Sequence, residues 1–176
     1  MASGVHRYAI GLGANLGQRL ETLRSAVDAL GRLGQVIAVS HVYETAAVGP
    51  PQPDYLNAAV LLESPLEPPA LLRELLAVER SHGRVRLERW GPRTLDLDLL
   101  WAGEVTFDAP ELTVPHPELS SRPFALMPLL DVAPDARDPR SGLAYVDRLS
   151  ALDCHGVRRL ETARATLQGE RNTQRA

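Results

Sequence analysis

Asp96 and Asp98 stand two residues apart in RWGPRTLDLDLLW, residues 89–101, a stretch that otherwise reads as a buried strand. Side chains alternate along a strand, so Leu95, Leu97 and Leu99 share one face while Thr94, Asp96 and Asp98 share the other. The leucine face is expected to pack on helices. The aspartate face must be wet, paired or metal-bound, because aspartate is depleted in strands and neighbouring carboxylates repel. A hard divalent cation offsets that repulsion. Mg²⁺ is typically held by one or two carboxylates together with substrate phosphates and water. The alternative is an exposed acidic face paired to Arg89 or Arg93.

Arg80, Arg84, Arg86, Arg89 and Arg93 fall in the same span, with only Glu79 and Glu88 of opposite sign. Arginine forks bind phosphate oxygens bidentately. Any one of these arginines, taken alone, reads more simply as part of a solvated helix end. Combined with the carboxylate pair, they suggest a metal–nucleotide site for phosphoryl-type transfer, in which catalysis is positioning and charge neutralisation. Tyr55 and Asn57 also lie at i and i+2, in YLNAAVLLE. Tyrosine offers a stacking plane and asparagine both a donor and an acceptor, a pair able to read a flat heterocycle. A packed core tyrosine beside a strand-end asparagine is the plainer alternative. The loop VPHPELSSRPF, residues 114–124, adds His116, Arg122 and Phe124.

Composition narrows the chemistry. All 19 basic residues are arginine, which excludes a P-loop lysine, a protein-kinase lysine and a Schiff base. The net charge of -3 argues against a dedicated nucleic-acid binder. Cys154 is the only cysteine, so neither an internal disulfide nor a cysteine-rich metal site is available. No signal peptide or membrane-length apolar run is evident, and a soluble cytoplasmic protein is expected. Gly11, Gly13 and Gly17 are spaced one residue too widely for a dinucleotide fingerprint. A tight turn with Asn15 near a helix start is expected there instead.

The elements that must position these residues follow from periodicity. RYAIGL, residues 7–12, reads as a buried strand. Leu20, Leu23, Val27 and Leu30 recur at helical spacing, and Gly31 and Gly34 mark the stop. VIAVSHVYE, residues 36–44, reads as a second strand and residues 55–63 as a third, with a Pro/Gly-rich loop at 46–54. A second helix follows prolines 65, 68 and 69, carries Leu71, Leu72, Leu75 and Val78, and ends at Gly83. After a charged loop, 84–93, RTLDLDLLWAG forms the fourth strand. The order β-α-β-β-α-β predicts an α+β fold, an α/β sandwich with a ferredoxin-like core: a mainly antiparallel sheet with both helices on one face. Residues 104–124 read as loop with short extended pieces, and FALMPLLDVAP as a short helix containing a proline. A single domain spans 1–157. The polar stretch 158–176 is expected to be a frayed helix or a disordered tail.

RWGPRTLDLDLL resembles the signature of one family, the 6-hydroxymethyl-7,8-dihydropterin pyrophosphokinases of folate biosynthesis. PDYLNAAV, LTVPH and AIGLGANLG resemble its other blocks in the same order, covering residues 7–150. The resemblance implies an α/β sandwich on a ferredoxin-like core. It also implies transfer of the β,γ-pyrophosphate of ATP to the hydroxymethyl group of the pterin, giving AMP and the pterin diphosphate with two Mg²⁺ ions. Carried over by matching position, Asp96 and Asp98 would hold both ions, with Arg84 and Arg93 completing the catalytic set. Tyr55 and Phe124 would sandwich the pterin and Asn57 would hydrogen-bond its edge. Thr45 and Val48 would add contacts, with Asp96 and Trp90 also at the pterin. Arg84, Arg86, Arg93, His116 and Arg122 would contact the triphosphate. Leu72, Glu79, Trp90, Leu99 and Thr113 would line the nucleotide site. The 84–92 loop would act as a lid that excludes water.

The expected partners are small molecules, with no nucleic acid or membrane, and a monomer is expected. Leu87 stands where many members carry lysine, the lid reads one residue shorter, Glu111 replaces an arginine of some members, and Pro117 an aromatic. These departures bear on lid motion and nucleotide grip, for which Arg86 and Arg89 are expected to compensate. Two other functions use the same residues. A nucleotide-binding module without chemistry would bind pterin weakly beside an ATP analogue. A metal-dependent phosphohydrolase would release phosphate or pyrophosphate without pterin.

Overall fold

Tyr8, Ile10, Leu12 and Ala14 alternate with smaller residues along β1 (His6–Ala14), and all four are buried. That period of two decides which face of the strand meets the core. α1 (Arg19–Leu30) adds Leu23, Ala26, Val27 and Leu30, spaced three, one and three apart on one helix face, to the same cluster. α2 (Pro68–Ser81) opens with Pro68 and Pro69, whose missing N–H groups cost nothing in a first turn, and buries Leu71 and Leu75. Each fully buried leucine contributes roughly 1.5–3 kcal/mol. Both helices thus lie on one face of the sheet. The computed structural model describes residues 4–83, 94–161 and 167.

The remaining strands are β2 (Gln35–Val39), β3 (Val42–Thr45), β4 (Tyr55–Ser64), β5 (Asp96–Trp101), a β6–β7 hairpin (Phe107–Ala109 and Leu112–Val114) and β8 (Val157–Leu160). The main sheet runs β5-β1-β4-β3-β8, β2 also pairs with β4, and every pairing is antiparallel. This is the ferredoxin-like order with β8 added at the edge. Gly34, where α1 turns into β2, admits no side chain because a Cβ would overlap the Glu63 carbonyl.

The strand expected over 36–44 is two strands. Ser40 Oγ accepts the Ala59 N–H at 2.8 Å and donates to the His41 carbonyl at 2.6 Å. A side chain therefore replaces a ladder bond, and the strand breaks there. β8 also crosses the boundary expected at 157/158. Residues 158–160 pair with β3 rather than fraying, and Arg158 and Arg159 form ion pairs with Glu44 and Glu161. Leu167 is buried in the main core. The tail expected over 162–166 and 168–176 lies outside the described residues.

On the opposite face lie α3 (Pro123–Val132) and α4 (Tyr145–Ser150). Six residues are too few for α4 to be read from periodicity. Leu126 and Leu129 of α3 and Tyr145 of α4 cluster with Ala9 and Leu100. A register shift at Ala9/Ile10, opposite Leu99 and Trp101, brings both Leu100 and Trp101 to this side. The helices cover the Ala9, Leu61 and Trp101 end of the face. The other end is where the cavity opens.

Candidate active site

Register alone sets the floor of the cavity. Tyr43 pairs with Asn57, Asn57 with Gly13, and Gly13 with Asp96. Residues opposite one another in a ladder point to the same face. Asn57, Gly13 and Asp96 therefore form one row across three strands, and the next row places Gly11 between Ala59 and Asp98. Gly13 keeps the ground between Asn57 and Asp96 open, whereas at Gly11 the Leu100 side chain lies 3.1–3.3 Å from where a Cβ would stand. A Cβ on Gly13 would lie 3.5 Å from Asn57 Oδ1, 3.8 Å from Tyr55 Cδ1 and 3.9 Å from Asp96 Cβ. With strands spaced about 4.8 Å apart, Asn57 and Asp96 stand roughly 9–10 Å from each other, the span of a fused bicyclic ring.

A cavity of about 380 Å³ rises above this floor. Thr45, Val48, Tyr55 and Asn57 line one side, Asp96 and Asp98 the other, and Arg122 and Phe124, at the start of α3, a third. Asn57, 8% exposed, donates from Nδ2 to Thr45 Oγ1 at 2.9 Å, which fixes the amide plane. Arg122 lies 5.7 Å from the Phe124 ring centroid and is ion-paired with Glu118. Val48 sits at the mouth, 75% exposed.

The loop that carries Val48 is tied down from β1. Buried Asn15 donates to Gln52 Oε1 at 2.8 Å and to the Pro53 carbonyl at 3.0 Å, and Arg19 donates to the Asp54 carbonyl at 2.7 Å. The tight turn expected at these glycines is confined to Gly17. Gly11 and Gly13 belong to β1, and Asn15 tethers a loop instead of capping α1, where Gln18 holds the cap position without a side-chain bond. Gly17 alone among them has a positive φ, 61°. The signal was present in YAIGLGA: Ala9, Gly11 and Gly13 alternate with large residues, so one strand face is stripped bare.

Asp96 and Asp98 are partly buried at the cavity wall, on the same face of β5. Among the described residues no three histidine, cysteine, aspartate or glutamate side chains converge to hold a metal. Two carboxylates with the other positions left to phosphate and water suit Mg²⁺; zinc would ask for three or four nitrogen and sulfur donors. The donor set fits the magnesium expectation. β5 is an edge strand, and its outward N–H groups need partners. Glu79 of α2, 2% exposed, accepts the Leu97 N–H at 2.8 Å. It anchors the backbone between the two aspartates.

His116 follows β7. Its Nδ1 accepts the Glu118 N–H at 3.2 Å, which leaves the ring proton on Nε2. Burial, and then the Arg122 charge, hold its pKa below the ordinary 6.5, against smaller opposing pulls from Glu118 and Asp96. Neutral at pH 7, it is a hydrogen-bond donor without a charge. Followed by NMR in the ligand-free protein, the His116 imidazole should titrate below 6.5. The stability it contributes is full above the unfolded-state value and lost as pH falls through the folded one. A midpoint at or above the ordinary value would contradict this reading.

The structure thus brings Thr45, Val48, Tyr55, Asn57, Asp96, Asp98, Arg122 and Phe124 to one cavity. Leu99 instead faces the main core with Leu95 and Leu97, as alternation expects, and Leu72 packs against that core. Thr113 lies in β7, and neither it nor Glu79 or His116 lines the cavity. Arg84, Arg86, Trp90 and Arg93, with the expected lid, lie outside the described residues.

Residues 9–134 match the family described as 7,8-dihydro-6-hydroxymethylpterin-pyrophosphokinase. A 2-amino-4-hydroxy-6-hydroxymethyldihydropteridine pyrophosphokinase of Synechocystis is 46% identical over 154 residues, covering 86% of this chain and 79% of its own. The enzyme of the same name from Pseudomonas aeruginosa is 43% identical over 162 residues, covering 90% and 99%. Among solved structures, a Plasmodium falciparum HPPK-DHPS superposes with a TM-score of 0.66 at 12% identity. That match covers 84% of this chain but 44% of the Plasmodium chain, so it bears on the fold alone.

Proposed function

The chain belongs to the 7,8-dihydro-6-hydroxymethylpterin-pyrophosphokinase family, and from that membership we propose which of its own residues carry the reaction. The reaction transfers pyrophosphate from ATP to 6-hydroxymethyl-7,8-dihydropterin, a step of folate biosynthesis. The pterin hydroxymethyl oxygen bonds to the β-phosphorus while the bridge from the α- to the β-phosphate breaks. AMP leaves with the electron pair, and the hydroxyl proton is released.

The pterin lies on the Gly13 floor with Asn57 at its edge and Tyr55 and Phe124 at its faces. Thr45 orients Asn57, and Val48 closes the mouth. This places the hydroxymethyl group at the Asp96 end of the row. Asp96 and Asp98 would hold two Mg²⁺ ions, which when bound would neutralise phosphate charge and polarise the phosphorus. Arg122 and the Nε2–H of His116 donate to phosphate oxygens. Arg84, Arg86 and Arg93 complete the phosphate grip, Trp90 closes over the site, and Thr113 flanks the nucleotide, while Leu72 and Leu99 support the site from the main core behind β5. Glu79 acts through the backbone of β5, holding both aspartates in place.

The observation that supports this reading best is the register row: an amide, a bare glycine and a carboxylate, side by side across three strands. The test is product analysis with ATP, Mg²⁺ and the pterin. AMP formed one-for-one with pterin diphosphate is expected. ADP, or phosphate release that ignores pterin, would overturn the assignment.

A further inference from the structure

α3 reads PFALMPLLDV, and Asp131 is its only polar side chain. The rest of the helix packs through apolar groups, chiefly Ala125, Leu126, Leu129 and Val132. Apolar packing is non-directional, so it holds the helix on the sheet without fixing its rotation or its slide along the strands. Its N-terminus has no side-chain cap bond at Arg122, and Pro128 cannot donate to the Phe124 carbonyl. The directional contact is at Asp131. Its Oδ2 accepts the His41 N–H at 3.0 Å, His41 Nδ1 at 2.9 Å and the Tyr43 hydroxyl at 2.8 Å. Tyr43 is 3% exposed, and burial and the Asp131 bond together raise its pKa, keeping the phenol protonated as a donor. His41 must carry its proton on Nδ1 for the second bond.

These three bonds join the two parts that flank the cavity. Phe124 and Asp131 are seven residues apart on α3, two turns along one helix face. Tyr43 pairs with Asn57, and two residues on Thr45 pairs with Tyr55 and accepts the Asn57 amide. The carboxylate therefore ties the helix bearing Phe124 to the strand pair bearing Thr45, Tyr55 and Asn57. We propose that Asp131 is a positioning residue for the pterin site, setting the separation of its Phe124 and Tyr55 walls through its bonds to His41 and Tyr43. This rests on the pterin-binding reading above. A carboxylate suits the task because it accepts several charge-assisted bonds at once, whereas an apolar residue there would let the helix slide.

The test is steady-state kinetics and hydrogen exchange on the full chain with Asp131→Asn, Asp131→Ala and Tyr43→Phe. In Asp131→Ala the KM for pterin should rise about tenfold, the scale expected when a binding wall shifts by a fraction of an ångström. The KM for ATP should rise by less, about threefold, since Arg122 is the one phosphate contact carried at the start of this helix. Asp131→Asn, which keeps an acceptor oxygen, should recover part of that loss, and Tyr43→Phe should show a smaller rise. Exchange should quicken in α3 and in residues 42–45 without ligand present. A merely structural role would instead lower the melting temperature and kcat and leave both KM values alone. Folded Asp131→Ala enzyme with an unchanged pterin KM would overturn this proposal by itself. Absence of pterin-dependent turnover in the unmodified chain would overturn the functional reading, and this proposal with it.

Discussion

Asp96→Ala should abolish pterin diphosphate formation, lowering kcat by at least about 10³-fold, which is about 4 kcal/mol of transition-state stabilisation. The size follows from the geometry. Asp96 and Asp98 are the carboxylates of the cavity wall, and the described residues offer no third acidic or histidine ligand to replace either. Removing one takes away a carboxylate that would hold Mg²⁺, and with it the positive charge that meets the phosphates where negative charge builds up. Folding should survive. Asp96 is partly exposed, belongs to no core cluster, and its backbone stays paired with Gly13. AMP production beside a thermal melt checks both statements. Turnover within tenfold of the unmodified enzyme, with a normal melt, would remove the aspartate from the chemistry.

Gly13→Val should produce a folded protein that no longer takes the pterin. A first carbon at this position meets ordinary contact distances of 3.5 Å or more, and the backbone is not in the left-handed region. A β-branched residue suits a strand. Its two methyl groups, however, would stand between Asn57 and Asp96, in the proposed pterin site. Overpacking costs about 1–3 kcal/mol, and that converts to roughly ten- to hundredfold in affinity. We expect pterin KM to rise by about a hundredfold in Gly13→Val and about tenfold in Gly13→Ala. Binding of a non-hydrolysable ATP analogue, measured by calorimetry, should stay within about threefold. A normal pterin KM in the valine variant would mean that the pterin does not lie on this floor.

Much of the architecture was legible in the chain because it is written locally. The leucines of β5, the stripes of α1 and α2, and the prolines that open α2 each declare an element within a few residues. The strand alternation that separates Leu95, Leu97 and Leu99 from Asp96 and Asp98 also fixed which of them face the core. Where the reading departed, the cause was non-local. The break at Ser40 depends on the Ala59 N–H, nineteen residues away. Residues 158–160 become a strand only because the edge of β3 is there to receive them, with Glu44 for Arg158. α4 is too short to announce itself.

The candidate site divides the same way. By itself the sequence determined that two carboxylates share a strand face, that phosphate must be met without lysine, and which family the motifs resemble. It did not determine that Gly11 and Gly13 are a floor, because a bare strand face means nothing until its neighbours are known. Asn57, Gly13 and Asp96 are separated by 44 and 83 residues from glycine to partner, and only the antiparallel register of β4, β1 and β5 sets them in one row. Nor does sequence periodicity bring Phe124 to the cavity that Tyr55 lines. That placement is made by a helix from the far side of the chain, packed on the sheet by apolar surface and oriented by the single carboxylate of Asp131. Side-chain periodicity is a property of neighbouring residues, whereas the shape of a cavity depends on registers between strands and helices that only the folded chain sets.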